Sequence, residues 1–158
     1  MYKFIHCSYK PFLYFLNKFV TIKINYDMNT TAYLLLRLAV GASMFGHGLV
    51  RFPKLSAFSN WMVTGFEKSM LPQALVVPFS YALPFMEFVI GFLLIVGLFT
   101  EVALISGAGI MILLIFGTSL IENWEAIPSQ LIHVMIFVWL LQFKGGNGIS
   151  VDQVLLKR

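Results

Sequence analysis

From position 31 onward, four runs of apolar residues alternate with short polar breaks. They cover residues 31–50, 77–99, 102–121 and 127–143. Each lies near the roughly 20 residues that an α-helix needs to cross hydrocarbon, the last being the shortest. Only Thr100 and Glu101 separate the second run from the third, which predicts an antiparallel helical hairpin. The expected fold is all-α, a polytopic membrane four-helix bundle.

Two further segments break the pattern. In the first loop, Phe58, Trp61, Met62, Phe66 and Met70 recur at helical spacing, with Ser59, Asn60, Glu67 and Lys68 between them. That spacing predicts a short interfacial helix, ended by Pro72, that either caps the bundle or forms a lid over a cavity. Residues 1–27 form an N-terminal extension dominated by Phe, Tyr, Met, Ile, Asn and Lys. Either residues 11–24 lie on the membrane as a basic interfacial helix, or the start is mis-assigned and translation begins at Met28. Met28 is followed by Asn29-Thr30-Thr31, good capping residues for the first span. The extension is not a secretory signal, because Asn17-Lys18 interrupts its apolar region and no small-residue cleavage site follows.

Composition agrees with a membrane domain. Hydrophobic residues make up 59% of the chain and charged residues 11%, against about 25% charged in soluble domains. The net charge of +4 carries no nucleic-acid signal, because all the Lys and Arg residues but Arg37 sit outside the spans. Lys3, Lys10, Lys18 and Lys23 precede the first span, and Lys144, Lys157 and Arg158 follow the fourth. The first loop holds Arg51, Lys54 and Lys68, and the third loop no Lys or Arg. This bias puts both termini in the cytoplasm. The single cysteine, Cys7, excludes a disulfide framework, a Cys-x-x-Cys redox pair or a thiolate metal site within one chain. Redox work would need a borrowed quinone, flavin or haem, or a partner subunit.

Four ionisable residues fall inside the apolar runs: Arg37, His47, Glu87 and His133. Intramembrane charge is costly and marks candidate functional sites. Anchoring each span at its cytoplasmic end places Arg37 about 9 Å deep, His133 about 15 Å, Glu87 about 18 Å and His47 about 24 Å. Glu87 is therefore within reach of Arg37 or of the histidines. Three of the four also have a plain account: Arg37 snorkels, His47 is hydrated near the interface, and His133 bonds a neighbouring helix. The small residues Ala39, Ala42, Ser43, Gly46, Gly91, Gly97, Gly107, Gly109 and Gly117 suit close helix packing. Pro84, one turn before Glu87, is expected to kink the second span.

The stretch 36–41 (LRLAVG), then Gly46-His47-Gly48 and Arg51, resembles the opening of the DoxX family. Residues 86–100 (MEFVIGFLLIVGLFT) are similar to that family's second helix, and residues 146–152 (GNGISVD) to its usual ending. Glu101 departs from the pattern, standing where the family often has a basic residue. The resemblance implies a four-helix bacterial inner-membrane protein related to the DoxD-like subunit of thiosulfate:quinone oxidoreductase.

Three functions are compatible with these residues. The first is a subunit of a quinone-linked oxidoreductase, acting with soluble or membrane redox partners. In it Glu87, His47 and His133 form a candidate proton relay, while Arg37 and Glu87 hold a quinone or an anionic group. The alternative is a non-enzymatic scaffold or small-solute transport component with structural charges. A haem b with His47 and His133 as axial ligands is the least supported, because their estimated depths differ.

Overall fold

The computed structural model describes residues 28–156. The N-terminal extension, with both expectations for it, and residues 157–158 lie outside the described residues. The described chain is helical, with no strand. Its helices are α1 (Thr30–Arg51), α2 (Leu55–Gly65), α3 (Gln73–Val96), α4 (Thr100–Leu120), α5 (Ile127–Gln142) and α6 (Val151–Leu156). A 3₁₀ turn, Phe52–Lys54, joins α1 to α2.

The helices α1, α3 and α4 are long and apolar enough to cross a membrane, and α5 is a shorter apolar helix of 16 residues. At 1.5 Å per residue α5 spans about 24 Å, short of the roughly 30 Å hydrocarbon core. Their outward faces stay apolar: Leu35, Val89, Phe92, Ile105, Ile112 and Val138 are all exposed. A helix that is apolar on both faces belongs in lipid.

The chain breaks where local chemistry dictates. Asn29 caps α1 through its side-chain oxygen, which accepts the Thr31 N–H at 2.8 Å. The α3–α4 turn falls at Gly97–Phe99, three residues before the expected Thr100-Glu101. Gly97 ends α3 because it takes the left-handed conformation (φ 73°) that other residues avoid. Its N–H and that of Leu98 both reach the Leu93 carbonyl, at 2.8 and 3.0 Å. The interfacial helix also ends sooner than expected, at Gly65. Pro72 instead sits at the N-cap of α3, where its missing N–H costs nothing, so α3 starts four residues before the expected 77. Helix α3 runs unbroken through Pro78 and Pro84.

The bundle is stitched chiefly by α1 against α3 and by α4 against α5. Along α1 the buried stripe is Tyr33, Arg37, Val40, Gly41, Met44 and Gly48; along α3 it includes Leu83, Glu87, Ile90, Gly91 and Leu94. The two backbones nearly touch. A Cβ on Gly91 would collide with the Phe45 backbone, and one on Gly48 would lie 2.5 Å from the Pro84 carbonyl oxygen. The contact uses Gly41, Gly48 and Gly91. Ala39 and Ala42 face outward, and Gly46 has open space beside it.

Candidate functional site

The glycine contacts fix the antiparallel register of α1 and α3. Gly48 meets Pro84 and Phe88, Gly41 meets Leu94 and Ile95, and Arg37 meets Gly97. Glu87 is thus level with His47, about one turn from where depths counted from the span ends put it.

The register decides which cation meets Glu87. Arg51, one turn beyond His47, donates from Nη1 to Glu87 Oε2 as a salt bridge. Glu87 is 2% exposed, while the Arg51 side chain is about a quarter exposed. The Arg51 guanidinium also lies 4.5 Å from the ring centre of Phe58 on α2, a cation–π contact. One arginine therefore connects α1, α3 and the loop helix.

Arg37 belongs to the opposite end of the bundle. It is 2% exposed and donates to Asn147 Oδ1 and, at 2.9 Å, to the Ile149 carbonyl. Asn147 donates in turn to Thr100 Oγ1 at 3.3 Å. The Asp152 carboxylate accepts the N–H groups of Phe99 and Thr100 at 2.7 and 2.8 Å, supplying the cap that α4 lacks from its own sequence. Burial raises the Asp152 pKa, but the Thr100 and Phe99 hydrogen bonds and the nearby Arg37 charge outweigh it, so the carboxyl is held below its ordinary value. Arg37 thus works in a clasp that folds the C-terminal segment onto the α3–α4 turn. Glu101, where the family often has a basic residue, pairs with exposed Lys144 at 3.0 Å.

The two histidines come together, although the depth estimate separated them. Their ring centres are 6.4 Å apart. His133 Nε2 lies 2.9 Å from Ser43 Oγ, and Nδ1 lies 2.8 Å from the Ser129 carbonyl. With Nδ1–H donated to that carbonyl, Nε2 accepts the Ser43 hydroxyl proton. Both ring nitrogens are engaged, so the donor set does not suit an axial haem ligand. Among the described residues, no three His, Cys, Asp or Glu side chains gather as a metal-binding group.

Two hollows meet at Arg51, Phe58 and Trp61. One is a cavity of about 550 Å³, walled mainly by apolar side chains including Phe58, Met62, Phe79, Leu83 and Leu114. Its polar members are Arg51, Thr118, Asn123 and Gln130. The other is a groove of about 620 Å³ along α1, lined by Ser43, His47, Arg51 and Lys54 among others. The loop helix contributes Phe58, Trp61, Met62 and Gly65 to the wall of the cavity. A buried hydroxyl pair, Ser59 and Ser80 at 2.7 Å, fastens α2 to α3.

The sequence thus offers Glu87 the wrong arginine, Arg37 in place of Arg51, and leaves the cavity's polar lining unseen. Arg51 was visible, but as a loop charge just past the first span. Its place one turn beyond His47 on a continuing helix was the available signal. Nothing in the sequence marked Gln130 or Asn123.

These helices and their charged interior define a multi-pass α-helical membrane protein. Residues 32–120 match the DoxX family model, and the chain belongs to that family. The match covers Arg37, His47, Arg51 and Glu87 and stops before α5 and the C-terminal clasp. No curated protein and no solved structure matches the chain.

Proposed function

We propose that the protein is the membrane subunit of a quinone-linked oxidoreductase and that the quinone head occupies the cavity beneath α2. The observation that carries this reading is Arg51: a guanidinium held by the buried Glu87 forms part of the wall of a largely apolar cavity. A volume of about 550 Å³ falls within the roughly 300–1,000 Å³ usual for small-molecule sites. Apolar walls with a few fixed polar groups suit a lipophilic ligand that carries carbonyl oxygens.

Reduction of a quinone to a quinol takes two electrons and two protons. A partner redox subunit supplies the electrons, because this chain's only thiol is Cys7. Arg51 hydrogen-bonds one quinone oxygen, and Glu87 sets the guanidinium's orientation and exchanges protons with the site. His133, Ser43 and His47 form a polar path from the groove towards that level of the bundle. Arg37 has a structural share in this scheme, in the clasp. The charge bias of the loops puts the protein in the inner membrane with both termini, and hence the clasp, on the cytoplasmic side.

The test is quinone reduction by the protein purified with its native partners. Glu87→Gln is expected to lower the rate and alter its pH profile. An unchanged rate and profile would remove Glu87 from the proton path.

A further inference from the structure

We propose that the groove along α1 holds an anionic phospholipid, its phosphate at Lys54, Arg51 and His47 and an acyl chain running down the helix. The groove is a different hollow from the cavity beneath α2, so this assignment does not depend on what fills that cavity.

Ser43, His47 and Arg51 follow at four-residue steps along α1, which puts them on one helical face. The 3₁₀ turn Phe52–Lys54 continues from Arg51. In that geometry residues three apart eclipse, so Lys54 falls in line with Arg51. All four line the groove, and no Asp or Glu among the described residues does. Glu87 answers the Arg51 charge from inside the bundle, but no described carboxylate pairs with Lys54. Lys54 and His47 are both exposed. The groove therefore presents an uncompensated ammonium beside further N–H donors, the chemistry that phosphate oxygens accept.

Position distinguishes a lipid from a soluble phosphate. The basic end lies at the loop end of α1, beside Trp61, which is 67% exposed. Exposed indoles at the end of a span mark the membrane–water interface. Ala42, Gly46 and Val50 form a second, apolar line down the same groove, again at four-residue steps. Nothing lies within 4 Å of where a Gly46 Cβ would stand, so this part is open. A phosphate with an acyl chain attached uses both lines; a free phosphate uses only the first. A zwitterionic lipid brings its own cation and leaves Lys54 uncompensated.

The test uses the full chain with Trp124→Phe and Trp139→Phe, so that Trp61 alone reports, in phosphatidylcholine vesicles. Brominated phosphatidylglycerol or brominated phosphatidylcholine is added, and quenching of Trp61 gives the relative affinity of each. Phosphatidylglycerol is expected to be preferred. Lys54→Gln should weaken that preference about fivefold, the usual worth of one basic residue against an anionic lipid surface. Lys68→Gln removes an exposed lysine of the same loop that does not line the groove, and should leave the preference unchanged. Equal affinity for the two lipids would overturn the proposal, and so would equal effects of the two lysine variants, which mark a general surface charge. Recovery of Trp61 fluorescence by excess inorganic phosphate, beyond that given by chloride at the same ionic strength, would assign the groove to a free anion and overturn the lipid.

Discussion

Arg51 pairs with Glu87 across 36 residues of chain, joining the loop end of α1 to the middle of α3. Neither partner is spare. Glu87 is buried in a helix whose other inward residues are almost all apolar, and Arg51 also stacks on Phe58.

Only Glu87 is fully buried in this pair, so removing Arg51 leaves a buried carboxyl unpaired, at a cost approaching the ~3–5 kcal/mol of a fully buried pair. Arg51→Gln is therefore expected to destabilise the bundle strongly, while Glu87→Gln, which keeps the shape and removes the buried charge, costs less. The double variant should recover part of the Arg51→Gln loss. Denaturation of the four proteins in mixed micelles gives the cycle; strictly additive losses would mean that the pair does not couple.

The α1–α3 seam leaves no room at Gly91. Gly91→Ala is expected to cost roughly 1–3 kcal/mol, the usual penalty of overpacking, because the obstacle is the Phe45 backbone rather than a movable side chain. Gly46→Ala, with nothing within 4 Å of the new atom, should be close to neutral. Equal melting temperatures for the two variants would contradict this register.

Asp152 gives the clasp a pH dependence. Its folded pKa lies below the ordinary value, about 3.9 for the unfolded chain. Its contribution is therefore fully present above that value and is lost as pH falls through the folded pKa. Asp152→Asn should lower the unfolding midpoint at pH 7, with the gap to wild type closing below about pH 4. A gap that stays constant down to the acid limit would assign the effect to something other than the carboxylate.

The Ser43–His133 contact makes a separate claim. Ser43→Ala removes the proton donor to Nε2 and is expected to move the His133 Nε2 resonance at constant pH, followed by NMR of labelled histidine, with little change in stability. An unmoved resonance would mean that the two side chains do not bond in solution.

The helices were legible because lipid imposes length and apolarity, and Asn29 marked the start of α1 as a capping residue should. Arg37 and Glu87 were visible as charges in apolar runs, and both lie on inward stripes. Their separation was not visible, because it depends on interhelical register. Gly41, Gly48 and Gly91 set that register through backbone contacts, whereas counting from span ends ignores it. The α3–α4 turn was misplaced for a local reason: Gly97 stops α3 inside an unbroken apolar run, where hydropathy gives no boundary. The cavity lining was hidden because Phe58, Leu83, Leu114 and Gln130 come from four helices, and only the packed bundle brings them together.

Photoaffinity labelling of the full chain in native-like lipid with an azido-quinone, followed by peptide mapping, tests the central claim most directly. The label is expected on peptides carrying Phe58, Trp61, Met62 or Leu114, and excess unmodified quinone should abolish it. Labelling that excess quinone does not compete, or that falls on lipid-facing residues such as Val89 and Phe92, would contradict the assignment of the cavity as a quinone site.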